Sequence, residues 1–213
     1  MRLRHDPQAA PFVQEHSQVW LEGEASAWRG RWRRLFDAKP TAVLALEIGA
    51  GRGRFILDSA AAAPDTCFLG LELRAEMVMQ AIERVKELPP NLHFLCLNAQ
   101  LLPELFAPGE ADILYINFPD PWPKSRHAKR RLTSLPFLQQ YREILSPQGR
   151  LCFKTDNRQL FDWSLPNLRE AGFELLRLDY QLSEENSGVM TEYERRFRRK
   201  GQPICFVEAG RGG

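Results

Sequence analysis

Short apolar runs alternate with amphipathic stretches along most of this chain, and that alternation is its tightest constraint on fold. Residues 43–48 (VLALEI) form a strand-like run closed by glycines, and residues 55–63 are helix-compatible up to Pro64. Residues 67–73 read as a second strand. Residues 75–88 carry Met77, Val78, Ala81, Ile82, Val85 and Leu88 at a helical period. Residues 92–97 and 112–116 read as a third and a fourth strand. Residues 134–145 are helical and end near Pro147, residues 150–154 make a fifth strand, and a helix follows over about 159–171. Residues 173–182 and 204–207 look like two final strands. Such alternation implies a mainly parallel, doubly wound α/β sheet with helices on both faces. Ligands then bind at the carboxyl ends of the strands, near the point where strand order reverses. Residues 1–40, polar and aromatic, read as an extension packing on a core domain of residues 41–213, a length that suits one α/β domain.

No apolar stretch approaches bilayer-spanning length. The start, MRLRHDPQAAPF, has arginines but no apolar core after them, so it is not a secretory signal and the expected compartment is the cytoplasm. Cys67, Cys96, Cys152 and Cys205 each lie in an apolar segment and none is spaced as CxxC, which points to reduced, buried thiols. The four histidines make no ligand pattern, and no metal is expected.

The net charge of +2 hides an asymmetry. Residues 28–34 (WRGRWRR), 124–131 (KSRHAKRR) and 195–200 (RRFRRK) together hold 14 of the 29 lysines and arginines and no acid. A solvated helix face normally mixes signs. If the three clusters share a face, a polyanion is the natural partner.

The first strand runs into Glu47-Ile48-Gly49-Ala50-Gly51-Arg52-Gly53. Its glycines allow a tight turn and close approach of a ligand. A dinucleotide fingerprint needs Gly or Ala where this chain has Arg54, and the Glu47 carboxylate would repel a pyrophosphate while attracting a cation. Glu47 can equally serve as an acid at a helix N-terminus. Glu72 closes the second strand, where an acid accepts hydrogen bonds from ribose hydroxyls. A cofactor with a ribose and positive charge but no phosphate fits, and S-adenosylmethionine is one; NAD fits poorly. Asn98, closing the third strand, can pair with an adenine edge or cap the next helix.

The fourth strand delivers Asn117-Phe118-Pro119-Asp120-Pro121-Trp122, a lone carboxylate on a proline-stiffened turn ahead of a basic run. Here the chain resembles the bacterial tRNA (guanine-N7)-methyltransferases. The likeness spans nearly the whole sequence: RxRH at 2–5, LEIGAGRG, GLEL, NFPDPWPKSRHAKRRL, FKTDN and MTEYERRF…GQPI. It implies the fold of class I methyltransferases and methylation of N7 of the guanine at position 46 in the tRNA variable loop. By the same likeness Glu47, Gly49, Gly51, Gly53, Glu72, Asn98 and Asp120 match the methyl-donor pocket, and Asp120 also matches the position treated as catalytic. Lys124, Asp156, Thr191, Glu192, Tyr193 and Glu194 match substrate-binding positions, and Arg126, Lys129, Arg130 and Arg131 match RNA contacts. Many relatives carry aspartate where this chain has Asn98.

Other readings stand beside these. Asp156 and Asn157 can cap a helix, and Thr191–Glu194 is a T-x-x-E capping box. A non-catalytic RNA-binding module on a methyltransferase fold is one alternative; a methyltransferase acting on another RNA or on protein is a second. Monomer and homodimer are both compatible with the sequence.

Overall fold

The computed structural model describes residues 5–212; Arg2 and Arg4 of the RxRH start lie outside the described residues. Its frame is one eight-stranded sheet. The strands are β1 (Val19–Trp20), β2 (Leu44–Ile48), β3 (Cys67–Glu72), β4 (Leu92–Cys96), β5 (Ala111–Asn117), β6 (Leu145–Thr155), β7 (Glu174–Asp179) and β8 (Cys205–Gly210). They lie in the order β1-β4-β3-β2-β5-β6-β8-β7. From β1 through β6 all pairings are parallel, while β8 runs antiparallel to both β6 and β7. The sheet is therefore doubly wound and mainly parallel, as the alternation implied. Strand order reverses between β2 and β5, which pair with Glu47 opposite Tyr115.

The central strands are near-continuous apolar runs because helices cover both faces. All five residues of β2 are buried. The helices are α1 (Ala9–Glu15), α2 (Glu22–Ala25), α3 (Trp32–Leu35), α4 (Arg54–Ala62), α5 (Ala75–Ile82), α6 (Leu102–Leu105), α7 (Leu135–Ile144), α8 (Arg158–Glu170) and α9 (Glu192–Arg199). The helix expected to reach Leu88 stops at Ile82. Pro89 and Pro90 lie ahead, and a proline pushes the residue before it out of helical geometry; Val85 and Leu88 still pack on the core, from turns. Pairing of β6 starts at Leu145, directly after α7, with a register shift between Ala111 and Ile113 on the neighbouring strand. Cys67 and Cys205 are buried as expected, whereas Cys96 and Cys152 are only partly so. No helix among the described residues is long and apolar enough to cross a membrane.

The segment before Pro40 adds a strand, β1, that the sequence pattern does not reveal, since two residues carry no period. It is fastened by side chains of the first basic-aromatic cluster. Trp32 is fully buried, donates its indole N–H to the Leu105 carbonyl at 2.9 Å and stacks on Phe106. The Glu110 carboxylate accepts from the backbone N–H groups of Gly30, Trp32 and Ala107 at 2.8, 3.0 and 2.9 Å. Arg33 pairs with Asp112 at 2.6 Å and also donates to the carbonyls of Ala42 and Glu110. Part of this cluster is thus internal scaffolding and not surface charge. Trp32→Ala empties a closed site and is expected to cost about 3–5 kcal/mol. Urea unfolding checks this; a loss below about 1 kcal/mol would mean that the segment docks without its indole.

Candidate active site

Beyond β2 the chain turns through Gly49, Gly51 and Gly53, with φ of +78°, +57° and +72°. Side chains other than glycine are strained there. The N–H groups of Gly49 and Ala50 donate to the Leu71 carbonyl at 2.8 and 2.9 Å, locking the loop onto β3. A Cβ on Gly53 would stand 2.6 Å from the Ala81 Cβ, so this glycine also lets α4 and α5 approach. At Gly51 such an atom would meet nothing nearer than the Gly49 carbonyl oxygen at 4.0 Å, which leaves the backbone open to a ligand. Glu72 is pinned beside the loop: its two oxygens accept from Gly51 N–H at 2.9 Å and Arg74 N–H at 3.0 Å.

Glu47 is the unusual group. It is 2% exposed, and one oxygen accepts from the Asn117 side-chain amide at 2.9 Å. The other, Oε2, is buried without a hydrogen-bond partner. Burial drives its pKa up to about 8; the Asn117 bond opposes the rise and the Glu72 charge adds to it. Burial likewise raises Glu72, against its backbone hydrogen bonds. A buried carboxylate oxygen left unpaired calls for a donor or a cation. The set of open glycine backbone, pinned Glu72 and orphaned Glu47 oxygen fits a cofactor bearing a ribose and a positive charge.

The proline loop follows β5 and is strained. Phe118 and Trp122 have φ of +49° and +42°, rare for bulky side chains. Each precedes a proline, which excludes the right-handed helical region at that position. The strain is held at both ends. Phe118 N–H donates to the Lys154 carbonyl at 2.8 Å, and its ring stacks with Phe197 and Tyr193. At the other end Arg131 donates to the carbonyls of Pro121 and Trp122 at 3.0–3.3 Å and lies 4.3 Å over the Trp163 ring. Between these clamps Asp120 is exposed. Lys124, Arg126, Lys129 and Arg130 are exposed on and just before the 3-10 turn Ser125–Arg130, with Arg130 over Trp122. Arg131 alone of this run is turned into the protein.

Two further carboxylates approach from β6 and α9. Asp156 follows β6 at the same sheet edge, and burial raises its pKa. The cap of α8 is Asn157, which accepts from Leu160 N–H at 2.8 Å, so the capping role falls to the neighbour of Asp156. At α9 Thr191 caps the helix by accepting from Glu194 N–H at 2.9 Å. The Glu194 carboxylate is fully buried and meets Lys154 at 3.2 Å, Arg198 at 2.7 Å and the Ser187 hydroxyl. Lys154 uses all three of its N–H donors, on Glu194 and on the Ser187 carbonyl and hydroxyl; burial presses its pKa down while Glu194 supports the charged form. Glu192 pairs with Arg84 at 2.6 Å, and Tyr193 is 55% exposed.

Glu47, Gly49, Gly51, Gly53, Glu72, Asn98, Asp120 and Asp156 therefore gather at the carboxyl ends of β2 through β6, with α9 closing one side. Asn98 is exposed, and its side-chain oxygen caps the turn Ala99–Leu101 by accepting from Gln100 N–H at 3.0 Å. Sequence reasoning gave no role to Asn117, the partner of Glu47, or to Lys154, the partner of Glu194. The signal for Lys154 was a cation inside an otherwise apolar strand, which demands a buried partner.

A family model described as "Putative methyltransferase" matches residues 41–207. A tRNA (guanine-N(7)-)-methyltransferase of Bacillus licheniformis is 42% identical over 212 residues, 98% of either chain. Its namesake from Bacillus cytotoxicus is 43% identical over 213 residues, covering 98% of this chain and 96% of that one. Among solved structures, the 16S rRNA methyltransferase KamB superposes with a TM-score of 0.62 at 19% identity, over 84% of this chain and 90% of that one. The antibiotic-resistance methyltransferase Kmr gives 0.56 at 24% identity, over 81% and 88%. At such identities these structures speak for the fold alone, the Rossmann-like fold of class I methyltransferases.

The Glu47 carboxyl keeps its proton in the folded chain up to about pH 8, against an ordinary value of 4.5. Between those values folding takes up a proton, so the contribution of Glu47 to stability falls as pH rises, by at most about 1.4 kcal/mol per pH unit. Glu47→Gln removes this dependence. Urea unfolding of parent and variant at several pH values between 5 and 8 should show the variant gaining on the parent as pH rises. Parallel profiles would mean that Glu47 is ionised throughout.

Proposed function

This chain belongs to the tRNA (guanine-N7)-methyltransferase family, and from that premise we propose that it transfers the methyl group of S-adenosyl-L-methionine to N7 of the guanine at position 46 in the variable loop of tRNA, in the cytoplasm. The observation that carries this reading is the likeness, over 98% of this chain, to proteins named tRNA (guanine-N(7)-)-methyltransferases at 42–43% identity. The strained Asp120 loop beside an orphaned Glu47 oxygen supports it.

The donor supplies an activated methyl on a sulfonium. Glu72 offers its ribose hydroxyls a carboxylate already fixed by two backbone N–H groups, and the glycine backbone lies open beside it. Glu47 holds a vacant acceptor, and a sulfonium beside it would favour the ionised carboxylate over the protonated form that burial favours in the free chain. Asn98 faces solvent with an amide that can meet an adenine edge.

Guanine N7 has a lone pair and no proton, so no base is needed to make the nucleophile. Methyl transfer would move positive charge from the donor sulfur onto the purine. Catalysis then rests on in-line placement and on negative potential aimed at the ring. Asp120 accepts from guanine N1–H or N2–H and stabilises that charge, and the clamps on Phe118 and Trp122 hold it in place. Asp156 and the exposed ring of Tyr193 border the space for the unstacked base. Lys124, Arg126, Lys129 and Arg130 hold phosphates, drawing RNA toward carboxylates that would otherwise repel it. Thr191 and Glu194 act through the helix they cap and anchor, and Arg131 through the loop it fastens.

Incubation with labelled methyl donor and unmodified tRNA, followed by nucleoside mapping, tests the function: label should appear as 7-methylguanosine in the variable loop. Label elsewhere, or none, would remove this reading. For the mechanism, Asp120→Asn is expected to bind tRNA nearly as the parent does but to transfer methyl roughly a hundredfold more slowly. Single-turnover kinetics on a preformed ternary complex isolate that step; a parental rate would reduce Asp120 to a turn residue.

A further inference from the structure

The cationic stretch 195–200 is divided by helix α9 into two faces. Glu194, Phe197 and Arg198 point inward, to the ionic cluster and the stack on Phe118. Arg195, Arg196, Arg199 and Lys200 are exposed and, with Arg54 and Glu192, line an open cleft of about 620 Å³. Arg54 is the first residue of α4, so the cleft begins where the glycine loop ends. Glu192, the only acid lining it among the described residues, is already paired with Arg84, and Arg54 pairs with Asp58. Among the described residues no carboxylate pairs with Arg195, Arg196 or Lys200.

Four like charges on one helix face oppose each other. Arg195 with Arg199, and Arg196 with Lys200, are i,i+4 pairs of like sign, which destabilise a helix. The helix dipole favours cations in the last turn, and Arg199 donates to the Arg195 carbonyl at 3.2 Å there. That does not account for Arg195. Tyr193 stands on the same helix, its exposed ring stacked on Phe118.

We propose that this cleft is a second phosphate-binding surface for the RNA substrate, distinct from the run at 124–130. The two flank the Asp120 loop: α9 contacts its Phe118 end, and the basic 3-10 turn contacts its Trp122 end. RNA gripped on both flanks is held across the loop, with the target base free to leave the stack between them. The inference rests on the tRNA reading above.

The test measures tRNA affinity against potassium chloride concentration for the parent, for Arg195→Gln/Arg196→Gln/Lys200→Gln, for Arg54→Gln, and for Lys129→Gln/Arg130→Gln. Each lost phosphate contact lowers the log–log slope by roughly 0.7–0.9. The α9 triple variant should therefore lose roughly 2.1–2.7 from the slope, Arg54→Gln about one contact's share, and the losses from the two surfaces should add when combined. Affinity for the methyl donor, measured by calorimetry, should stay at the parental value and shows that the variants are folded. A parent that methylates tRNA, alongside a folded triple variant with the parental slope, would overturn the second surface and leave the proposed function standing. A parent that neither methylates nor binds tRNA would overturn both.

Discussion

Glu47 and Asn117 meet across the seam where the sheet changes its direction of growth, and most of the site's geometry follows from that hydrogen bond. The two residues close adjacent parallel strands, so the bond aligns the glycine loop after β2 with the proline loop after β5. Using one carboxylate oxygen for alignment leaves the other buried and unpaired. An apolar pair at the seam would pack at lower cost, because burying a carboxylate without full pairing is unfavourable. The unfavourable group is retained where a cationic ligand would neutralise it, so the strain of the ligand-free chain is concentrated at the point of binding.

The path from sequence to fold was short where period and burial agreed. Residues 43–48 and 67–73 are continuous apolar runs, and they became central strands within a residue or two of the expected limits. The glycines and prolines announced both loops. What stayed hidden was anything decided by partners distant in the chain. Phe118 and Trp122 lie before prolines, which forbids one conformation without naming the one adopted; their positive φ depends on Lys154, Phe197 and Arg131. Arg131 is chemically indistinguishable in sequence from its exposed neighbours, and it is the Pro121 and Trp122 carbonyls together with the Trp163 ring that turn it inward. The two-residue strand β1 has too few residues for any period and exists because β4 offers it an edge.

The four residues 191–194 show why local and tertiary readings need not compete. Thr191 does cap α9, as the T-x-x-E pattern suggests, but Glu194 does not turn back to complete the box. Its carboxylate joins Lys154, Ser187 and Arg198 in a buried network where every donor and acceptor has a partner. Buried ion pairs add little net stability, but their directionality fixes orientation. Here they fix which face of α9 looks outward, and hence which of its cations remain available to a ligand.

The antiparallel insertion of β8 has a consequence for how the molecule assembles. β8 lies between β6 and β7, so the outer edge of β6 has no partner until residues far downstream arrive. Pairings of such long range close late, since the entropy of the intervening loop must be met first. Helix α9 lies within that loop. Its anchor, Lys154, is on β6, one residue from the end of the strand that β8 completes. A chain folding during synthesis would therefore form the glycine loop and the Glu72 side of the cleft early. Helix α9, with its outward cations, would be set in place only when the sheet is finished, so the two sides of the cleft would be completed at different times.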